Sequence, residues 1–311
     1  MRAGRTLACV LAACTALTGC AALTGAEEKP GTIVVTTNIL GDLVSNIVGT
    51  EADVVVLMQP GADPHSFGIS AQQAARLESA DLLIYNGLGL EEGVLRHVEA
   101  AADQGVPVLA VADVPDPLPF AAGTGAGDGA ADLPDPHFWT DPQRVSDAVD
   151  LIADAVTANV PSADPDTVRE NTAEYGGRID ELDAWMESSF SRIPAQRRQL
   201  VTNHHVFGYF ASRFGFTVTG AVIPGGTTLA SPSSSDLEEL AGKIREASVP
   251  AIFIDSSQPD RLAQVLAREA GLDVAVVGLF TESLGAAGSG AETYLDMMRT
   301  NTERITAALT R

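Results

Sequence analysis

The chain has 311 residues, past the ~250–300 at which one hydrophobic core usually stops growing, so two lobes are expected. Hydrophobic residues make up 45% and charged ones 19%, which excludes a disordered chain. Lys+Arg 19 against Asp+Glu 41 leave a formal charge of −22, which excludes nucleic acid and anionic headgroups as partners and attracts small cations.

Arg2 and Arg5 precede an apolar run over residues 7–17, too short to cross a bilayer as a helix, and the run closes on Leu17, Thr18, Gly19 and Cys20. That order predicts a secretory signal peptide over residues 1–19. The ending LTGC resembles a bacterial lipobox, which implies cleavage before Cys20, diacylglycerol on its sulfur, and a protein anchored on the outer face of the cell membrane. Cys9 and Cys14 leave with the signal, so no thiol remains for a disulfide or a metal. Residues 20–31, small and polar, read as a flexible tether.

Strands are expected over residues 32–37 (TIVVTT), 54–57 (VVVL), 81–85 (DLLIY) and 106–111 (VPVLAV), with helices at 39–48 and 70–80. His97 in VLRHVEA falls on a further helix, as a surface residue. The alternation predicts parallel βαβ units and an N-terminal α/β lobe over 32–162. Within it, residues 115–136 are rich in Gly, Ala, Pro and Asp and read either as a lid or as an insertion without a role. Asp141 and Pro142 supply an N-cap and first-turn proline for a helix running toward Val160. After the break PSADPD, residues 167–190 are polar and helical, with Leu182, Trp185 and Met186 on one face. No strand lies within that stretch, so residues 163–192 are assigned to a helix that links two lobes. The C-terminal α/β lobe, 193–311, has strands at 199–202, 216–221, 251–254 and 274–280 and helices at 207–214, 233–247, 260–270 and 291–309.

Four metal-competent side chains stand just past strand ends: His65 in QPGADPHSF, His137 in DPHFWTDP, His204 after QLVT, and Glu282 after VAVVGLF. In open α/β sheets that edge lines the ligand crevice. Three imidazoles and one carboxylate suit zinc, with bonds of about 2.0–2.2 Å. His205 is an alternate ligand, a partner behind the ligand, or the start of a helix, and the residue nearer the strand end is favoured. Asp255 ends a strand and reads as a carboxylate orienting a ligating imidazole or as a helix cap. Four protein ligands leave no open position for catalysis, so an enzyme is not expected. A zinc hydrolase would need such a position and a general base, and HExxH is missing; a surface adhesin would need an exposed hot-spot cluster. Neutral imidazoles are required for ligation, so metal retention is expected to weaken below about pH 6.5.

The segments VTTNILGDLVSNIVG, GADPHSF, DPHFWTDP, TNHHVFGYFASRFG and TESLGAAGSGAETYLDMMRTN follow one another over nearly the whole mature chain. Together they resemble the zinc- and manganese-binding solute-binding proteins of bacterial ABC transporters, the cluster A-I or cluster 9 family. The resemblance implies two lobes joined by one rigid helix with metal in the cleft, ligated at His65, His137, His204 and Glu282. It also implies a monomeric lipoprotein that delivers Zn2+, or alternatively Mn2+, to an ABC permease and its ATPase, with a metallochaperone as a further candidate partner. Three features depart from the pattern. The family commonly has aspartate where Glu282 stands, often reads histidine then aspartate where this chain has His204 and His205, and in zinc-specific members carries a histidine-rich run where residues 115–136 have none.

Overall fold

The computed structural model describes residues 30–113, 117–120, 133–223, 225–271 and 274–310. The expected signal peptide, the Cys20 anchor, most of the tether and the middle of the 115–136 segment lie outside the described residues. The first sheet comprises β1 (Gly31–Val35), β2 (Ala52–Val56), β3 (Leu82–Tyr85) and β4 (Val108–Ala110), in the order β2-β1-β3-β4. Its helices are α1 (Asn38–Val48), α2 (Ala71–Leu77) and α3 (Leu95–Asp103). Two long helices follow, α4 (Pro142–Asn159) and α5 (Pro165–Ser191). The second sheet holds β5 (Gln199–Thr202), β6 (Thr217–Ala221), β7 (Ala251–Asp255) and β8 (Ala275–Leu279), in the order β6-β5-β7-β8, with α6 (Gly208–Phe214), α7 (Ser234–Ala247), α8 (Arg261–Ala270) and α9 (Tyr294–Leu309). Every pairing is parallel, and the two sheets share one order of connection. Two α/β lobes result, as the alternating pattern predicts.

Boundaries moved where a side chain had a better use than the strand ladder. The expected strand 32–37 stops at Val35 because Thr37 turns to cap α1, its hydroxyl accepting the Leu40 N–H at 3.3 Å, while the Thr36 hydroxyl donates to the buried Glu91 carboxylate at 2.7 Å. The linking helix begins inside the expected break PSADPD: Asp164 is the N-cap and Pro165 takes the first turn, where its missing N–H costs nothing. With 27 residues, α5 spans about 40 Å. Its buried stripe, Val168, Thr172, Tyr175, Ile179, Leu182, Met186 and Phe190, packs against α1, α4 and α9.

The principal core is shared. One contiguous cluster runs from Ile33, Leu43 and Ile152 through Leu182 and Met186 to Phe210, Tyr294 and Leu309, so it contains both lobes and the linking helix. Two smaller clusters lie elsewhere, one in each lobe, around Leu83 and Leu77 and around Ile252 and Leu266. At the junction, Asp42 of α1 accepts the Tyr294 N–H of α9 at 2.9 Å and the Tyr175 hydroxyl of α5 at 3.3 Å. Burial, as the largest cause, raises the Asp42 carboxyl above its ordinary range.

Candidate metal centre

The carboxyl ends of both sheets face one crevice, and each contributes two of the expected residues. His65 stands on the loop after β2, within the turn Asp63-Pro64-His65, where its N–H donates to Asp63 Oδ1 at 3.0 Å. His137 ends the segment after β4 and repeats the device: its N–H donates to Asp135 Oδ1 at 2.9 Å in Asp135-Pro136-His137. The same Asp135 oxygen lies 2.7 Å from His137 Nδ1, which assigns the ring proton to Nδ1 and leaves Nε2 as the free lone pair facing the crevice. His204 follows β5 in a turn closed by the Thr202 hydroxyl, which donates to the His204 carbonyl at 2.7 Å. Glu282 follows β8.

These four side chains converge. One nitrogen or oxygen from each lies within 4.8 Å of all the others. The His65 and His137 Nε2 atoms are 3.4 Å apart, and Glu282 Oε1 is 3.0 Å from His204 Nε2 and 3.6 Å from His137 Nε2. Glu282 Oε2 is 3.8 Å from His65 Nε2. A tetrahedral ion with bonds of about 2.1 Å separates its ligand atoms by about 3.4 Å, which is the middle of this range. All four residues are buried, none more than 2% exposed.

Their chemistry is poor without a cation. Both Glu282 oxygens and both His204 ring nitrogens are buried without a hydrogen-bond partner among the described residues. Buried polar atoms left so each cost about 1–3 kcal/mol. Burial, reinforced by the neighbouring His137 and His204 rings, pushes His65 down to about 2. His204 is likewise lowered, by burial first, against the opposing pull of Asp255, Asp63 and Asp135. Burial pushes Glu282 up to about 8, opposed by His137 and reinforced by the same three aspartates. His65 and His204 therefore prefer the neutral imidazole and Glu282 resists the bare carboxylate, and a dication would relieve both the orphaned lone pairs and the carboxylate's desolvation.

Asp255 serves the site differently from the expectation of an imidazole partner. Its Oδ2 accepts the Thr281 N–H at 2.9 Å, the Thr281 hydroxyl at 2.5 Å and the Glu282 N–H at 3.1 Å, while Oδ1 takes the Ser257 N–H at 2.7 Å and the Ser257 hydroxyl. It thus orients the backbone that carries the carboxylate. His205 is buried, its N–H donates to the Gly225 carbonyl at 3.3 Å, and it is not one of the four converging groups. His97 is half-buried on α3, away from the cluster. The sequence reading missed Asp63 and Asp135, although the tripeptide Asp-Pro-His, repeated at 63–65 and 135–137, was a visible signal.

Comparison with known proteins decides the family. The profile described as zinc-uptake complex component A, periplasmic (ZnuA), matches residues 33–308. The chain belongs to this family. It is 34% identical over 316 residues to the zinc-binding protein TroA of Treponema pallidum (strain Nichols), covering 99% of each chain. It is 33% identical to the manganese-binding lipoprotein MntA of Bacillus subtilis (strain 168), covering 99% of this chain and 100% of that one. The solved structure of periplasmic zinc-binding TroA from Treponema pallidum superposes with a TM-score of 0.80 at 32% identity, covering 91% of this chain and 100% of TroA. Members of the ZnuA family bind metal for ABC importers and are not enzymes, so this chain is an extracytoplasmic metal-binding receptor and the hydrolase reading falls. No helix among the described residues is long and apolar enough to cross a membrane.

Proposed function

We propose that the receptor captures Zn2+ with His65, His137, His204 and Glu282 as its four ligands and hands it to an ABC permease driven by its ATPase. One observation carries this reading: four buried groups, two from each lobe, converge within 4.8 Å, and the lone pairs of two of them are otherwise unsatisfied. Three imidazoles with a single carboxylate favour zinc over manganese, which takes harder, oxygen-rich sites. The alternative cargo, Mn2+, is supported by the likeness to manganese-binding MntA and by the two oxygens of Glu282, which together could fill two positions. The LTGC ending supports lipid attachment at Cys20, which tethers a monomer to the outer face of the membrane, with residues 32–162 and 193–311 as lobes and 163–192 as the link. A periplasmic or extracellular metallochaperone is a further candidate partner.

X-ray absorption on the purified protein tests the ligand set. One zinc per chain with three nitrogen neighbours and a carboxylate oxygen at about 2.0–2.2 Å is expected. A sulfur shell, or a stoichiometric zinc site surviving in the His65→Ala/His204→Ala double variant, sinks it. Elemental analysis of protein taken from its native envelope separates the cargoes: a manganese-filled site overturns zinc and leaves the ligands standing.

A further inference from the structure

The two Asp-Pro-His turns begin alike and end differently. In each, an aspartate oxygen accepts the histidine N–H two residues on, at 3.0 Å for Asp63 and 2.9 Å for Asp135. Asp135 also holds its own histidine ring, with Oδ1 2.7 Å from Nδ1. Asp63 turns its second oxygen away from the ring and across the cleft. There Oδ2 accepts the Thr228 hydroxyl at 2.5 Å and the Gln258 side-chain amide at 3.0 Å, besides the Ser66 hydroxyl at 3.1 Å in its own turn. Thr228 and Gln258 belong to the loops after β6 and β7 of the opposite lobe. One half-buried carboxylate therefore bonds, through its two oxygens, to the backbone of a candidate ligand and to two side chains of the facing lobe.

We infer that Asp63 is a positioning residue that ties the placement of His65 to closure of the lobes, and so sets how long the bound ion stays. This rests on the ligand assignment above. The geometry makes the coupling two-way. When Thr228 and Gln258 engage Oδ2, the carboxylate plane is fixed, and with it the turn that aims His65 at the crevice. When the lobes part, Oδ2 loses both donors and the carboxylate keeps only its local bonds to His65 and Ser66. A hydrogen bond to a charged group contributes about 1.5–3 kcal/mol, roughly a tenfold to hundredfold effect for each bond. These bonds cross the cleft and exist only when it is shut, so their loss falls on release more than on capture.

The test uses the Thr228→Val/Gln258→Met double variant, which removes both cross-cleft donors without altering Asp63, His65 or any other candidate ligand. Zinc is bound to the full chain, and release into excess chelator is followed by stopped flow, with capture measured separately. Release about tenfold faster or more is expected, with capture within about threefold of wild type and unchanged thermal unfolding of the chelator-treated protein. Asp63→Asn keeps the His65 N–H acceptor but weakens the cross-cleft bonds, and an intermediate release rate is expected. Unchanged release in the double variant overturns the latch while leaving zinc binding intact. Release and capture slowed or quickened together, or a destabilised metal-free protein, show a structural role only and also overturn it. A wild-type protein that takes up no zinc removes the ligand assignment and the latch with it.

Discussion

His204 and His205 adjoin in the chain, and the fold separates their roles. The ring of His204 meets Glu282 Oε1 at 3.0 Å, whereas His205 lies outside the group of four. Calorimetry on His204→Ala is therefore expected to show zinc affinity lowered by at least about a hundredfold, and on His205→Ala by about tenfold or less. Equal losses would mean that both rings bind. The pH response is also expected higher than the range the sequence suggests. With His65 pushed down to about 2 and His204 lowered, protonation of these two rings is not the first competitor for the ion. Glu282 is, because its carboxyl, held up to about 8, carries a proton at pH 7 that the ion must expel. Apparent affinity should rise about tenfold per unit as pH climbs from about 6 toward 8 and then level, with about one proton released per ion near neutrality. Titrations in buffers of different ionisation enthalpy measure that proton. An affinity flat between about pH 6.5 and 8, lost only below about 6.5, would restore the histidines as the titrating groups.

At the scale of elements, the segment between β4 and α4 has a described stem that bears on its role. Pro119 pairs with Pro134 in an antiparallel bridge, and the Phe120 and Asp135 N–H groups donate to Leu133 and Leu118 carbonyls at 3.0 and 2.7 Å. The stem crosses to the other lobe, where the Tyr209 hydroxyl accepts the Leu118 N–H at 3.0 Å and donates to the Asp135 carbonyl at 3.0 Å. Phe120 stands edge-on to His137, with ring centroids 6.3 Å apart, and it fits because residue 226 is glycine: an added Cβ there would meet Phe120 Cζ at 2.0 Å. Gly226→Val should displace the ring, cost about 1–3 kcal/mol of stability by overpacking, and quicken ion exchange. Chemical denaturation and chelator competition read the two effects, and an unchanged exchange rate would show that Phe120 does not shield the site. Most helices and strands were legible because each follows from local spacing, such as the Asp141 cap and first-turn Pro142 of α4 or the Leu182 and Met186 face of α5. Asp63 was not, because an aspartate before proline reads as an ordinary turn residue until its partners 165 and 195 positions away are known, and Asp135 was not, because its hold on the His137 ring two positions on depends on how that ring is turned in the fold.

For the whole molecule, the shared core is the governing fact. Length led to an expectation of two lobes, but Leu182, Met186 and Phe190 of the linking helix belong to one cluster with residues of both sheets' helices. Metal-free protein should accordingly unfold in a single cooperative transition, with calorimetric and van't Hoff enthalpies equal. Zinc at about a thousand times its Kd should add about 4 kcal/mol of stability. Two resolved transitions, one per lobe, would contradict the shared core.

The sequence by itself determined the βαβ alternation, the long link, the identity of the four candidate ligands and the acidic character of the chain around them. Those properties reside in residue type, period and position relative to strand ends, which are local. Only the tertiary structure decided that the four meet within one ion's reach, that Asp255 supports the carboxylate's backbone instead of an imidazole, and that one aspartate spans the cleft. Burial and distance depend on how separate segments pack, and they set both the direction of each ligand's protonation and the partner each oxygen finds.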